Sequence, residues 1–266
     1  MITIYSFLKI RFSLALQYRS AAIAGIFTQM FFGIFIIMVY DAFFQSTTKI
    51  TPMTFQQTVS YIWLGQALLG LLPWNGDLEI QAMIKKGDFI YEWLRPISLY
   101  DYWFVRIFAK RTAATLLRSI PVLFIAFFCI PDPYCLELPY SLQSFFLFSI
   151  ILTSSVLLGC TISNIITIST LFTIGDGIDR LVPAIVTMFS GMVIPLSFFP
   201  EWSLPIFKFL PFSGLVDTPY KFYLGIYNID NFLFSLFHIF FWMILLLILG
   251  RYMINRALNR VVVMGG

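Results

Sequence analysis

The sequence predicts an all-α polytopic membrane protein with six transmembrane helices and both termini on the cytoplasmic side. Three observations carry that class. Of 266 residues, 59% are hydrophobic and 11% charged, against about 25% charged in a soluble domain. Uncharged stretches recur that reach the ~20 residues a helix needs to cross ~30 Å of hydrocarbon. Lys and Arg gather in alternate connections between those stretches. The mean hydropathy of +0.87 agrees, and residues 1–266 read as one domain without internal repeats.

Residues 2–19, ITIYSFLKIRFSLALQYR, set Tyr5, Leu8, Phe12 and Ala15 at helical spacing, with Lys9 and Arg11 apart from them. This is the pattern of an amphipathic helix in the cytoplasmic interface, although its last turn reads equally well as the start of the first span. Basic residues run through the segment and no small-residue cleavage site stands out, so no cleavable leader is expected.

Ser20–Tyr40 forms the first expected span and Thr51–Gly76 holds the second, both uncharged. The third runs from about Arg111 to Ile130, with Arg118 inside it and Pro121 as a candidate kink. Leu138–Gly175 is 38 residues without a charge. As one helix at about 1.5 Å per residue it would be nearly twice the core thickness, so it either projects past the membrane or bends near Gly159. Leu181–Phe199 supplies the fifth span and Asn231–Gly250 the sixth.

With the N-terminus inside, fourteen of the 17 Lys and Arg fall on the cytoplasmic side, leaving Lys49, Lys208 and Lys221 outside. The 13 Asp and Glu divide seven to six. An asymmetry confined to cations is the signature of membrane orientation. It accounts for the net charge of +4 without invoking nucleic acid. Cys129 and Cys135 flank an outer-loop IPDPY and read either as a disulfide or as two small apolar residues; with Cys160 they show no metal-ligand spacing.

The island between the second and third spans holds the densest charge. NGDLEIQAMIKKGD reads as a short helix: Asp77 or Asn75 caps it, and Ile80, Met83 and Ile84 form an apolar stripe. Lys85 and Lys86 favour the negative end of its dipole, and Gly87 closes it in a left-handed conformation. Asp88 then caps a second helix, FIYEWL, which must stop at Arg95 because Pro96 follows. Ser98 with Asp101 resembles a capping box opening the next helix. Such a rigid helix-turn-helix would dock a partner or merely anchor the protein at the membrane surface.

IKKGDFIYEWLRPIS resembles the Gly-Asp and Arg-Pro-Ile-Ser signature of bacterial ATP-binding-cassette type-2 permeases. SGMVIPLSFFPEWSLPIFKFLPF is similar to a second signature of that family, and QYRS to its Tyr-Arg entry into the first span. The resemblance covers essentially the whole chain. It implies the transmembrane half of an exporter in the bacterial cytoplasmic (inner) membrane, paired with an identical or homologous permease. Two copies of a cytoplasmic ATPase would bind ATP and Mg and press on a coupling helix. The positions implied are Ile80, Met83, Ile84, Lys85, Lys86, Gly87 and Asp88, with Glu92, Arg95 and Pro96. An apolar or amphipathic cargo (drug, peptide or lipid-like) would suit Phe31, Phe32, Phe35 and Met38, which would equally well face lipid.

None of the fifteen Gly precedes a Lys, so the phosphate loop G-x-x-x-x-G-K-[ST] does not occur, and no cofactor or metal is expected in this chain. Hydrolysis is expected in a separate polypeptide. On the outer side, six of the thirteen Pro lie between Pro183 and Pro219 and break the chain into short apolar runs. These suit re-entrant helices shielded by protein, or an aromatic interfacial anchor. The resemblance implies that they close the exit, with Pro195, Phe199, Pro200, Trp202, Pro211 and Phe212 as gate residues. The inner turn GDGIDR, with Asp176, Asp179 and Arg180, reads as a second ATPase contact or a solvated turn. An ion-coupled carrier would need ionisable groups at mid-membrane, where the spans hold almost none beyond Arg118 near one end and the lone His238. A single His also cannot ligate a haem from both sides.

Overall fold

In the computed structural model, residues 9–10, 13–14, 19–48, 50–172 and 177–259 are described, residues 19–22 and 177–180 by their backbone alone. The described residues are helical and contain no strand. Four helices are long and apolar enough to cross a membrane: α1 (Arg19–Ser46), whose spanning part is Ile23–Ser46, α5 (Leu99–Phe128), α6 (Leu142–Ser169) and α10 (Ile229–Leu258). Between them lie α2 (Phe55–Leu68), α3 (Leu78–Lys86), α4 (Ile90–Trp93), α7 (Gly177–Phe189), α8 (Leu204–Phe209) and α9 (Asp217–Tyr223).

The stretch expected as the second span is α2, 14 residues, extended by a 3₁₀ turn at Leu69–Leu71. Thr54 caps it in a reciprocal box with Gln57. The fifth is α7, 13 residues, followed by bends at Ser190–Ile194. The third helix begins at Leu99, well before Arg111, and runs through Pro121. The capping box expected at Ser98 does not form: its side chain makes no cap bond, and Asp101 instead accepts from Arg251 at 2.7 Å. The long uncharged stretch is one 28-residue α-helix continuous through Gly159, about 42 Å, so it projects beyond the core.

The core sits around α6. Just over half of its most apolar stretch is buried (56%), against 17% for α1 and 11% for α10, whose sides are left exposed. α6 packs chiefly on α10 and α9, while α1, α2 and α5 pack on one another. Gly33 permits a close seam between α1 and α2: a Cβ there would lie 2.6 Å from the ring of Trp63, which is fully buried and donates Nε1–H to the Tyr134 carbonyl at 2.8 Å. No disulfide forms; Cys129 is exposed, and Cys135 donates to Asp132 Oδ1 at 2.9 Å. The amphipathic helix expected at residues 2–19 lies almost wholly outside the described residues.

Candidate functional site

Asp77 caps α3 as the residue pattern requires. Its Oδ1 accepts from the N–H of Glu79 at 2.9 Å and of Ile80 at 3.1 Å. Its own N–H donates to Thr167 Oγ1 at 2.9 Å, which joins the start of α3 to α6. Lys85 and Lys86 occupy the last turn, and Gly87 closes it at φ 83° with its N–H on the Ile84 carbonyl. Asp88 does not cap α4. That cap position falls to Phe89, without a side-chain bond, because the chain turns directly out of the Gly87 closure into the next helix.

α5 clamps the island from behind with cations. Arg106, 3% exposed, donates to Glu79 Oε2 at 2.5 Å and to Glu92 Oε1 at 3.3 Å, and lies 3.9 Å from Asp77 Oδ2. Trp103 donates to the other Glu92 oxygen at 2.7 Å. Lys110 reaches Asp77 and Glu79, both at 3.4 Å. At the next position the Arg111 guanidinium donates to the Leu72 carbonyl and to that of Asn75 at 2.8 Å. Positions 106 and 110 share one face of α5. Two cations thus answer three carboxylates from separate parts of the island, and a third holds its backbone entry.

Under the clamp, Ile80, fully buried, packs with Phe89, Leu99, Tyr100, Trp103, Ile168 and Ile254. Of the residues expected to contact a partner, Ile80 and Glu92 therefore point into the protein, and Met83, Ile84 and Gly87 are half-buried. Lys85, Lys86, Asp88, Arg95 and Pro96 are exposed. Arg95 donates to the Tyr102 hydroxyl at 3.0 Å and lies 5.2 Å from that ring's centre. Pattern reading missed the apolar members of this outer face: Leu78 (63% exposed), Tyr91 (74%) and Leu94 (75%). The signal was present, since Tyr91 and Leu94 lie three apart and so share a helical face that the buried Glu92 does not. Asp176 lies outside the described residues, and Asp179 and Arg180 are placed by backbone only, in the first turn of α7.

The opposite end is capped by short 3₁₀ and α segments from Leu196 to Tyr223. They are knotted by a residue not singled out in the sequence, Asp217, 3% exposed. Its Oδ2 pairs with Lys221 at 2.6 Å, one turn along α9. Its Oδ1 accepts from the Leu196 N–H at 3.1 Å and lies 3.4 Å from the Tyr61 hydroxyl, which donates to the Gly191 carbonyl at 2.9 Å. Phe199 packs edge-on to Phe207, and Phe207 and Phe212 both meet Phe189. Pro195 and Pro211 are buried, whereas Pro200 and Trp202 point outward. Of the expected gate residues, Phe199 and Phe212 thus join an aromatic cluster, Pro195 and Pro211 lie buried, and Pro200 and Trp202 are on the surface. Beside the cap an apolar cleft of about 480 Å³ opens between α1 and the Val193–Phe198 segment, lined by Phe35, Ile36, Val39, Tyr40 and Phe43. Phe31, Phe32 and Met38 are largely exposed on α1 and do not line it.

Comparison with curated proteins returns no match. A family model described as ABC-2 family transporter protein matches residues 26–265, nearly the whole chain, including every element of the island and the cap. Such proteins are the multi-pass permease components of ABC transporters, and they generally work with an ATPase partner. The chain belongs to the ABC-2 transporter family.

Proposed function

We propose that this chain is the permease of an ATP-driven exporter in a bacterial cytoplasmic membrane, and that the exposed face of the α3–α4 island receives the ATPase. The observation that carries this reading is the two-sidedness of the island. Its inner side is locked to α5 and α6 by Arg106, Lys110, Arg111 and Thr167, while its outer side presents Leu78, Tyr91 and Leu94 beside Lys85, Lys86 and Arg95. A mere anchor has no need of a buried ion network; a lever does. Force applied at Tyr91 and Leu94 passes through Glu92 to Arg106 and so into α5 without loss to a flexible loop.

In this reading the chain crosses six times, with both termini inside. α2 with its 3₁₀ extension and α7 with the bends that follow it form the second and fifth passes, and the cap dips back from outside. Two permeases meet two ATPase subunits, which supply the ATP and Mg site. Asp176, Asp179 and Arg180 make the lesser cytoplasmic contact. ATP-driven closure tilts α1, α2 and α7, and the Phe189–Phe207–Phe212 plug opens to the outside. The apolar cleft along α1 fits an apolar or amphipathic cargo.

The test is purification of the tagged chain from native membranes in mild detergent, with identification of what co-purifies and an ATPase assay. The reading expects a phosphate-loop protein whose hydrolysis responds to the permease. Leu94→Asp should abolish that response while leaving insertion and yield unchanged. Full response in Leu94→Asp and Tyr91→Asp alike would overturn the assignment of the face.

A further inference from the structure

A second cavity lies between the cap and the first turns of α10, away from both the island and the apolar cleft. It holds about 170 Å³ and is lined by Lys208, Ser213, Asp217, Thr218, Tyr227, Asn231, Phe234, Ser235 and His238. A cavity of roughly 150 Å³ accommodates a benzene-sized molecule, so this one is larger than a water site needs. We propose that it binds the phosphodiester headgroup of a membrane phospholipid, whose acyl chain lies along the exposed phenylalanines of α10.

The lining chemistry selects an anion rich in acceptor oxygens. Thr218, Ser235, Tyr227 and Asn231 offer hydroxyl and amide hydrogens, while the Ser213 hydroxyl donates to the Leu210 carbonyl at 3.3 Å; Lys208 adds an exposed ammonium that is in no ion pair among the described residues. The His238 ring has Nε2 3.1 Å from the Phe209 carbonyl, an acceptor that also takes the Trp242 N–H at 2.8 Å. Nε2 must therefore carry the proton there, and Nδ1 is the ring's remaining polar atom. The one carboxylate in the lining is already engaged. Asp217 is held by Lys221 and the Leu196 N–H, and the Tyr227 ring stacks 5.4 Å from the Lys221 ammonium. A cationic ligand would meet Lys208 without a free counter-charge.

Position and neighbours distinguish a lipid from free phosphate. The uncharged stretch Asn231–Gly250 spans about 30 Å of helix, so Asn231 to Ser235 lie at its end, at the headgroup layer. Phe234 forms one wall of the cavity and is 71% exposed. Phe237 (68%) and Phe241 (48%) continue the stripe along α10, with their rings stacked 6.2 Å apart. An inorganic ion has no use for that stripe, whereas an acyl chain below a bound headgroup follows it. The proposal does not depend on the partner ATPase or on the cargo.

The experiment is native mass spectrometry of the purified, delipidated protein titrated with dioleoyl phosphatidylglycerol. Wild type should hold one lipid tightly. Lys208→Glu, a change at an exposed position, should weaken it about tenfold or more, the loss of one charge-assisted hydrogen bond. Ser235→Leu, which fills the cavity, should remove the tight site; should that variant fail to fold, Lys208→Glu decides alone. Dioleoylglycerol, which lacks the phosphate, should not compete, and neither should inorganic phosphate at millimolar concentration. Equal lipid binding by Lys208→Glu and wild type, or displacement by dioleoylglycerol, overturns the proposal. Displacement by inorganic phosphate reassigns the cavity to a free anion and overturns it as well.

Discussion

Removing the Arg106 guanidinium is the perturbation that separates a locked island from a loosely tethered one. Arg106→Met keeps most of the side-chain volume but deletes the hub of the network. Glu92, whose side chain is 10% exposed, then keeps only the Trp103 N–H, and Asp77 keeps Lys110 and its two cap amides. Breaking a buried ion pair from one side costs about 3–5 kcal/mol, chiefly because the other charge stays buried. The Glu79 side chain is 54% exposed, so its share is small. The lower figure, about 3 kcal/mol, therefore applies, and it corresponds to roughly a 150-fold larger population of detached island. Amide hydrogen exchange in nanodiscs reads this directly: protection over residues 78–93 should fall about a hundredfold, with the middle of α6 unchanged. The double variant Arg106→Met with Glu92→Leu should recover part of the protection, since it leaves no orphan charge, the remainder being lost with the acceptor of the buried Trp103 N–H. Unaltered exchange in Arg106→Met, or a double variant worse than the single one, would refute the argument.

Three further outcomes follow from the same geometry. Asp217→Asn leaves the Lys221 ammonium buried without a counter-charge and should destabilise the cap by about 3 kcal/mol or more, seen as faster protease cutting between α8 and α9 while α3 and α4 stay protected. Gly87→Ala meets no atom within 4 Å, so only the positive φ opposes it; a loss near 1 kcal/mol, read as weaker protection of α4, is expected, and Gly87→Asn should lose less. A membrane-impermeant maleimide added from outside should label Cys129 first, because it is exposed, and Cys135 more slowly. The Cys135 thiol is pushed up by its hydrogen bond to Asp132, then by burial and by the Asp132 charge, which lowers its thiolate fraction. Raising the pH should therefore narrow the gap between the two, and labelling only from the cytoplasmic side would reverse the orientation.

Local chemistry was legible in the residue order and long-range pairing was not. Asp77, Lys85, Lys86 and Gly87 act within one turn of their own helix, so capping rules locate the ends of α3. Asp88 and Ser98 fit the same rules and fail them. Asp101 is drawn to Arg251 on α10, 150 residues away, and no local pattern reports that pull. Arg106 and Lys110 satisfy the orientation rule as cytoplasmic cations, and that sufficient reading concealed their second role as partners of Asp77, Glu79 and Glu92. Asp217 and Lys221 stand at i and i+4, yet Lys221 reads only as one of three cations on the outer side, and that reading does not reveal the buried pair. Gly33 against Trp63 is a contact between two helices that only their packing reveals.

The claim on which the account rests is that the outward face of the island meets an ATPase. A photo-crosslinking amino acid placed at Leu94 in the native membrane, with one at Leu138 in the connection between α5 and α6 as comparison, tests it most directly; both side chains are well exposed, 75% and 70%. The account predicts capture of a phosphate-loop protein from Leu94 and none from Leu138, with a yield that changes when ATP is held unhydrolysed. Capture from neither position, or equal capture from both, would contradict it.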